Sequence, residues 1–258
     1  MALQEQKLQS EVISLPSHGH FYPEGSPLAS GEMEIFMMCA AHEDILTSAN
    51  LIKRGIVIDK LLEALIANPL VKLDDLLLGD KAAIMIASRI LGYGKDYPVS
   101  ISCEKCGETN EVTIDLQNLE EKKSDFFTTE NKGRNAFPFL LPISGKTVVF
   151  KFLTHADEIA IKTEIDGMRK VLKSEVGKEM TTRIRRSIIS IDGNEDGEYI
   201  RSFIMNMPAR DSRALRDYIR KNSPDIDLTH NFICKECGNE SRVDIPIDVT
   251  FFWPDTGV

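Results

Sequence analysis

Ile101-Ser-Cys103-Glu-Lys-Cys106-Gly107-Glu-Thr-Asn-Glu-Val112-Thr-Ile114 and Phe232-Ile-Cys234-Lys-Glu-Cys237-Gly238-Asn-Glu-Ser-Arg-Val243-Asp-Ile245 are two versions of one phrase. Each reads as a β-prone arm, Cys-x-x-Cys-Gly, and a second β-prone arm. A Cys-x-x-Cys turn aims two thiolates at one point, and the Gly that follows permits a positive φ there. One turn supplies only two of the four ligands of a tetrahedral structural zinc. Two turns supply all four, so each stretch implies the other across the long span from Cys106 to Cys234. The expected site is one structural Zn2+ held by Cys103, Cys106, Cys234 and Cys237. Four protein ligands leave no open position for water or substrate. Four thiolates alone also admit an iron–sulfur centre. A redox Cys-x-x-Cys would precede a helix in a βαβ pattern, whereas these lie in hairpins.

The spacing extends outward from the cysteines. Asp80, Arg89, Asp96, Cys103, Cys106, Gly107, Val112 and Ile114 recur at one constant offset as Asp211, Arg220, Asp227, Cys234, Cys237, Gly238, Val243 and Ile245. Leu141-Pro-Ile-Ser-Gly145 echoes Leu15-Pro-Ser-His-Gly19, and Arg186-Ser-Ile-Ile-Ser-Ile-Asp192 is a looser cousin of Arg54-Gly-Ile-Val-Ile-Asp59. The spacing implies a tandem duplication: copy one over 1–117, a polar linker over 118–137, copy two over 138–250 and an aromatic tail over 251–258. The fold class expected is α+β, each copy a strand-loop, several helices and a β-hairpin, joined through a four-cysteine, zinc-ribbon-like site.

Within copy one, residues 1–14 read as a polar lead-in and 34–40 as a buried strand. Helices are expected over 42–51, over 57–66 from its i, i+4 apolar stripe, and from Asp80, as cap, to Leu91. Within copy two a strand is expected over 148–153, and helices over 156–176, 181–191, 199–207 and 211–221.

Composition bounds the function. The chain has 258 residues, 42% hydrophobic and 28% charged, with a net charge of −9. That balance fits a globular protein and argues against a dedicated nucleic-acid binder. No apolar run reaches membrane-spanning length and the N-terminus lacks a signal core, so the expected compartment is the cytosol, with no membrane partner. There disulfides are disfavoured, and five cysteines, four of them in two pairs, point to metal. The fifth, Cys39, sits in an apolar stretch and reads as core.

Other candidates read mostly as structure. His18-Gly-His20 lacks a fixed third ligand. His42 and His155 each precede acidic residues at a helix start, a capping context. His230 lies near Cys234 but is not needed to complete four ligands. From Arg169 to Lys221 there are 13 Lys or Arg against 8 Asp or Glu. That basic stretch reads either as helix faces dressed with Arg stems or as a surface for an acidic partner. Phe251, Phe252 and Trp253 form an aromatic tail that either packs on the chain or docks a partner. Phosphate-binding Gly loops, His-Glu-x-x-His and Gly-x-Ser-x-Gly are all missing, so the sequence points away from an enzyme and from a small-molecule substrate.

The order of Leu15-Pro-Ser-x-Gly-x-x-Tyr22, His42-Glu-Asp-Ile-Leu, the Asp80 helix with Arg89, Gly92-Tyr-Gly-x-x-Tyr97 and the cysteine hairpin resembles T4-type bacteriophage baseplate proteins, the hub subunits and hub-assembly factors of contractile tails. The resemblance covers most of copy one and the cysteine hairpin of copy two. It implies a non-enzymatic role in building the central baseplate, with other baseplate proteins as partners, in the host cytoplasm during assembly or in the virion tail. The alternative is a zinc-ribbon nucleic-acid-binding or transcription accessory protein using residues 169–221.

Overall fold

The computed structural model describes residues 8–172, 178–247 and 249–252. The chain begins with an antiparallel pair, β1 (Ser10–Ser14) and β2 (Glu32–Phe36). β1 falls in the stretch that composition marks as a lead-in. Three short helices follow, α1 (Ala40–Leu46), α2 (Ala49–Arg54) and α3 (Val57–Leu65), and then α4 (Leu78–Tyr93). The first cysteine hairpin is β3 (Asp96–Ser102) with β4 (Thr109–Asp115). The second half opens with β5 (Phe137–Leu140) and β6 (Thr147–Phe150), then α5 (His155–Leu172), α6 (Glu179–Ser187) and β7 (Ile188–Ile191). It closes with α7 (Gly197–Met205), α8 (Ala209–Asn222) and the second cysteine hairpin, β8 (Thr229–Ile233) with β9 (Glu240–Asp244). The architecture is α+β, with four small antiparallel sheets among helices in the described residues.

Both halves use the same device to seat the helix before the cysteine hairpin. Asp80 and Asp211 are each the third residue of their helix and wholly buried, so neither is the cap itself. Asp80 accepts the Ser17 backbone N–H at 2.9 Å and the Tyr22 hydroxyl at 2.5 Å. Asp211 accepts the backbone N–H groups of Ile143 at 2.7 Å and Ser144 at 2.9 Å. Each carboxylate therefore staples a Leu-Pro loop to a helix N-terminus, where the helix dipole also favours its charge. Burial drives the Asp80 pKa up. Burial also works against the Asp211 charge, but the loop N–H groups outweigh it and hold its pKa low.

Several expected elements differ. The helix read over 42–51 is two, because Thr47 turns its hydroxyl onto the Glu43 carbonyl at 2.9 Å and ends α1. The helix read over 181–191 stops at Ser187. Ile188–Ile191 instead pairs with β6, as suits a β-branched run beside an open strand edge. The Arg54–Asp59 and Arg186–Asp192 stretches thus take different structures, since Val57 begins a helix and Ile188 begins a strand. The described part of the helix read over 156–176 is α5; residues 173–176 lie outside the described residues.

The polar 118–137 stretch is a strap laid across both halves. Its Phe126 stacks on Phe137 at 4.5 Å, and Phe127 packs 5.4 Å from Phe21. Lys122 N–H bonds to the Asp225 carbonyl, and Asp227 N–H to the Glu120 carbonyl. One apolar core combines residues of both halves, including Leu15, Phe21, Leu77, Phe150, Ile184 and Leu215. A second surrounds the cysteine hairpins. In it Phe251 and Phe252 are buried, Phe251 edge-on to Tyr97 at 5.0 Å. These two rings pack within the chain and offer no exposed docking face; Trp253 lies outside the described residues.

Candidate metal centre

The two cysteine hairpins are built alike, strand pair by strand pair. Ile101 faces Asn110 and Val99 faces Val112; at the equivalent places in the second hairpin, Phe232 faces Ser241 and His230 faces Val243. The knuckles match as well. Cys103 N–H donates to the Glu108 carbonyl (2.8 Å) and Gly107 N–H to the Cys103 carbonyl (2.9 Å); Cys234 N–H donates to Asn239 (3.0 Å) and Gly238 N–H to Cys234 (2.9 Å). Gly107 and Gly238 hold φ of 77° and 65°, where a side chain would be strained.

The knuckles meet face to face. The four sulfurs all lie within 4.8 Å of one another. Across the joint, Cys103 and Cys237 are 3.7 Å apart and Cys106 and Cys234 are 3.6 Å apart. A tetrahedron with metal–sulfur bonds of about 2.3 Å has edges of about 3.8 Å, so these spacings suit four ligands on one ion. Cys103 and Cys234 are buried, and Cys106 and Cys237 reach solvent. Backbone N–H groups, Cys237's foremost, pull the Cys234 thiol down to about 6, and those of Cys106 and Lys105 pull Cys103 below its ordinary value. The Glu108 N–H favours the Cys106 thiolate, but desolvation and the neighbouring sulfurs outweigh it and push that thiol up to about 12. The backbone N–H groups thus favour the charged form of two sulfurs, and a cation would favour it in all four.

Asn110 supports this joint and is not evident from the cysteine spacing. Buried on β4, it donates its Nδ2–H to Cys234 Sγ (3.7 Å) and accepts the Lys235 N–H on Oδ1 (2.8 Å). It therefore binds one knuckle to the other through a single amide. Its sequence signal is a polar residue at an inward position of an alternating strand.

The remaining candidates stay apart from the sulfurs. His18 pairs with Glu121 at 3.1 Å and His20 Nε2 meets the Thr128 carbonyl at 2.8 Å, so both pin the strap. His42 Nδ1 accepts the Cys39 N–H at 3.0 Å, which is the capping role expected for it. His155 starts α5, but its ring is buried beside Lys81 (3.0 Å) and Asp59 (3.4 Å). Burial opposes the Asp59 charge; His155 and Lys81 outweigh it and hold that carboxyl at about 2. His230 pairs with Val243 in the β8–β9 ladder and is not among the clustered ligand atoms. In the basic stretch, Arg183 pairs with Glu158 and Arg185 with Glu164, so part of its charge is met within the chain.

The sequence matches the family described as T4 bacteriophage base plate protein over residues 26–253. The chain belongs to this family. The match spans both cysteine hairpins and the strap, so the four-cysteine cluster lies within the family region of this baseplate protein. No curated protein and no solved structure matches it. Among its described residues, no helix is long and apolar enough to cross a membrane.

Proposed function

We propose that this baseplate protein is a non-enzymatic structural or assembly component of the central hub. On this reading it is an adaptor whose two halves derive from a duplication and are locked together by one Zn2+ on Cys103, Cys106, Cys234 and Cys237. It acts on other baseplate proteins in the host cytoplasm and enters the tail with them or leaves once they are assembled. The observation that carries the reading is the meeting of sulfurs from hairpins in opposite halves of the chain at 3.6 and 3.7 Å. Matching strand registers and the paired aspartate staples support the duplication. Zinc would supply a cross-link rather than chemistry, since four thiolates close its coordination shell. The protein's own contribution is to hold the sulfurs in place and shield two of them.

Metal analysis of the purified protein tests the centre: about one zinc per chain, lost in Cys234→Ser together with much of the thermal stability. A metal-free wild type that is fully folded would sink it. The assembly role is tested by infecting cells with phage lacking the protein, where hub formation should fail and wild-type protein, but not Cys234→Ser, should restore it. Normal baseplates without the protein, or steeply salt-dependent DNA binding by it, would overturn the adaptor reading.

A further inference from the structure

The start of α4, the turn at Phe152, helices α6 and α8 and the turn at Pro224 border an open groove of about 720 Å3. Its floor is apolar, with Leu78, Phe152, Ile184 and Ile219. Met180 lies along it and is 53% exposed, a flexible side chain that adapts to what it meets. The α8 edge of the groove is basic: Arg216 and Arg220 line it, and Arg213 continues their helical stripe beyond it. The stripe holds a single carboxylate, Asp217, which pairs with Arg213 at 3.6 Å and Arg220 at 2.6 Å. Among the described residues, Arg216 makes no ion pair, and its Nε donates to the Ser212 carbonyl at 3.3 Å. The other acids at the groove are Asp225, taken by Lys122 at 2.8 Å, and Glu179, which makes no ion pair among the described residues. Asp211, the other acid of α8, is turned inward to the Leu-Pro loop. Residues 169–221, which include α6 and α8, carry 13 Lys or Arg against 8 Asp or Glu in a chain of net −9.

We propose that the groove docks an acidic amphipathic helix of another protein. The helix's apolar face would cover Met180, Ile184 and Ile219, and its Asp or Glu residues would lie along Arg213, Arg216 and Arg220. The Arg stripe runs over about two helical turns, roughly 10 Å, which a docked helix can follow with carboxylates at i and i+4. Guanidinium groups beside an apolar floor form the rim-and-core pattern of a protein interface, and charge complementarity sets the partner's orientation. A phosphate backbone would find the floor apolar, and in a chain of net −9 the arginines at the groove would steer a negative partner to it. That the partner is another baseplate protein rests on the function proposed above; the groove's chemistry does not.

The test places a photo-crosslinking residue in the full chain, Met180→p-benzoylphenylalanine, and illuminates infected cells during assembly. The expected product is a crosslink to a baseplate protein within a segment whose apolar and acidic residues each recur at i, i+3 or i+4. Arg216→Glu with Arg220→Glu should cut its yield at least tenfold, and Glu→Lys changes in the captured segment should restore it. Arg216→Lys should keep most of the yield, and all variants should melt as the parent does. A crosslink to nucleic acid, to a second copy of this chain or to a basic segment would overturn the proposal, as would a yield indifferent to charge reversal. Incorporation into baseplates without any crosslink at position 180 would refute the groove while leaving the adaptor reading intact. Capture of an acidic host helix instead would keep the groove and remove the adaptor reading.

Discussion

Gly79 and Gly167 both sit in helices, and the structure assigns opposite outcomes to the same substitution. In a helix interior, replacing Gly by Ala ordinarily stabilises by about 0.5–1 kcal/mol, because Ala loses less backbone entropy. Gly167 in α5 is exposed and a Cβ there would meet nothing within 4 Å, so Gly167→Ala should show that gain. At Gly79, the second residue of α4, a Cβ would lie 1.9 Å from the Pro224 carbonyl oxygen and 2.8 Å from the Asp225 Cα. These are backbone atoms, not the end of a flexible side chain. An ordinary contact requires the α4 start or the 224–225 turn to shift substantially. Neither is free to do so: Asp80, the next residue, is stapled to Ser17 and Tyr22, and Asp225 is tied to the strap through the Lys122 N–H. Overpacking of this kind costs about 1–3 kcal/mol, which exceeds the propensity gain, so Gly79→Ala should lose roughly 1–2 kcal/mol net. In a protein of this size that is a few degrees in Tm. Urea melts at fixed free zinc measure both variants, the metal being held constant because binding adds to apparent stability. A Gly79→Ala variant stabilised like Gly167→Ala would refute the close approach of the two halves at this point.

The sulfur joint and the buried charge cluster yield two more expectations. Asn110→Ala removes the amide that orients Cys234 and binds Lys235, and should weaken zinc binding about 10–100-fold in chelator competition while the hairpins remain folded; an unchanged affinity would show that Asn110 is a bystander. Asp59, held at about 2 against an ordinary 3.8, stabilises the fold above pH 4, a contribution of about 2 kcal/mol that fades as pH falls from 4 towards 2. Asp59→Asn should therefore be less stable than wild type at pH 6 by about that amount, with the gap narrowing below pH 4; a gap independent of pH would contradict the pairing with Lys81 and His155.

The elements that show plainly in the sequence are those whose signal is local. The cysteine hairpins carry their own turn chemistry, and α3 and α8 carry an apolar stripe. Contacts made at long range are hidden. Phe126 and Phe127 look like two apolar residues in a polar linker until Phe137 and Phe21 are seen beside them. Ile188–Ile191 continues a helical stretch in sequence and becomes a strand only because β6 offers an edge. Register also says less about environment than about position. Arg89 and Arg220 hold matching places in the two halves, yet Arg89 is buried and donates to the carbonyls of Gly94 (2.8 Å) and Asp96 (3.2 Å), while Arg220 lies in solvent beside Asp217. The convergence of the four cysteines is legible; the contribution of Asn110 is not evident from the cysteine spacing, because it depends on the Lys235 backbone N–H, far along the chain.

The placement of the sulfurs also sets an order of events during synthesis. Cys103 and Cys106 leave the ribosome long before Cys234 and Cys237. Until then a growing chain can offer an ion only half a coordination shell. The sulfur joint between the halves therefore cannot close until Cys237 has emerged, and a chain interrupted before residue 237 would lack it however well its first half had folded.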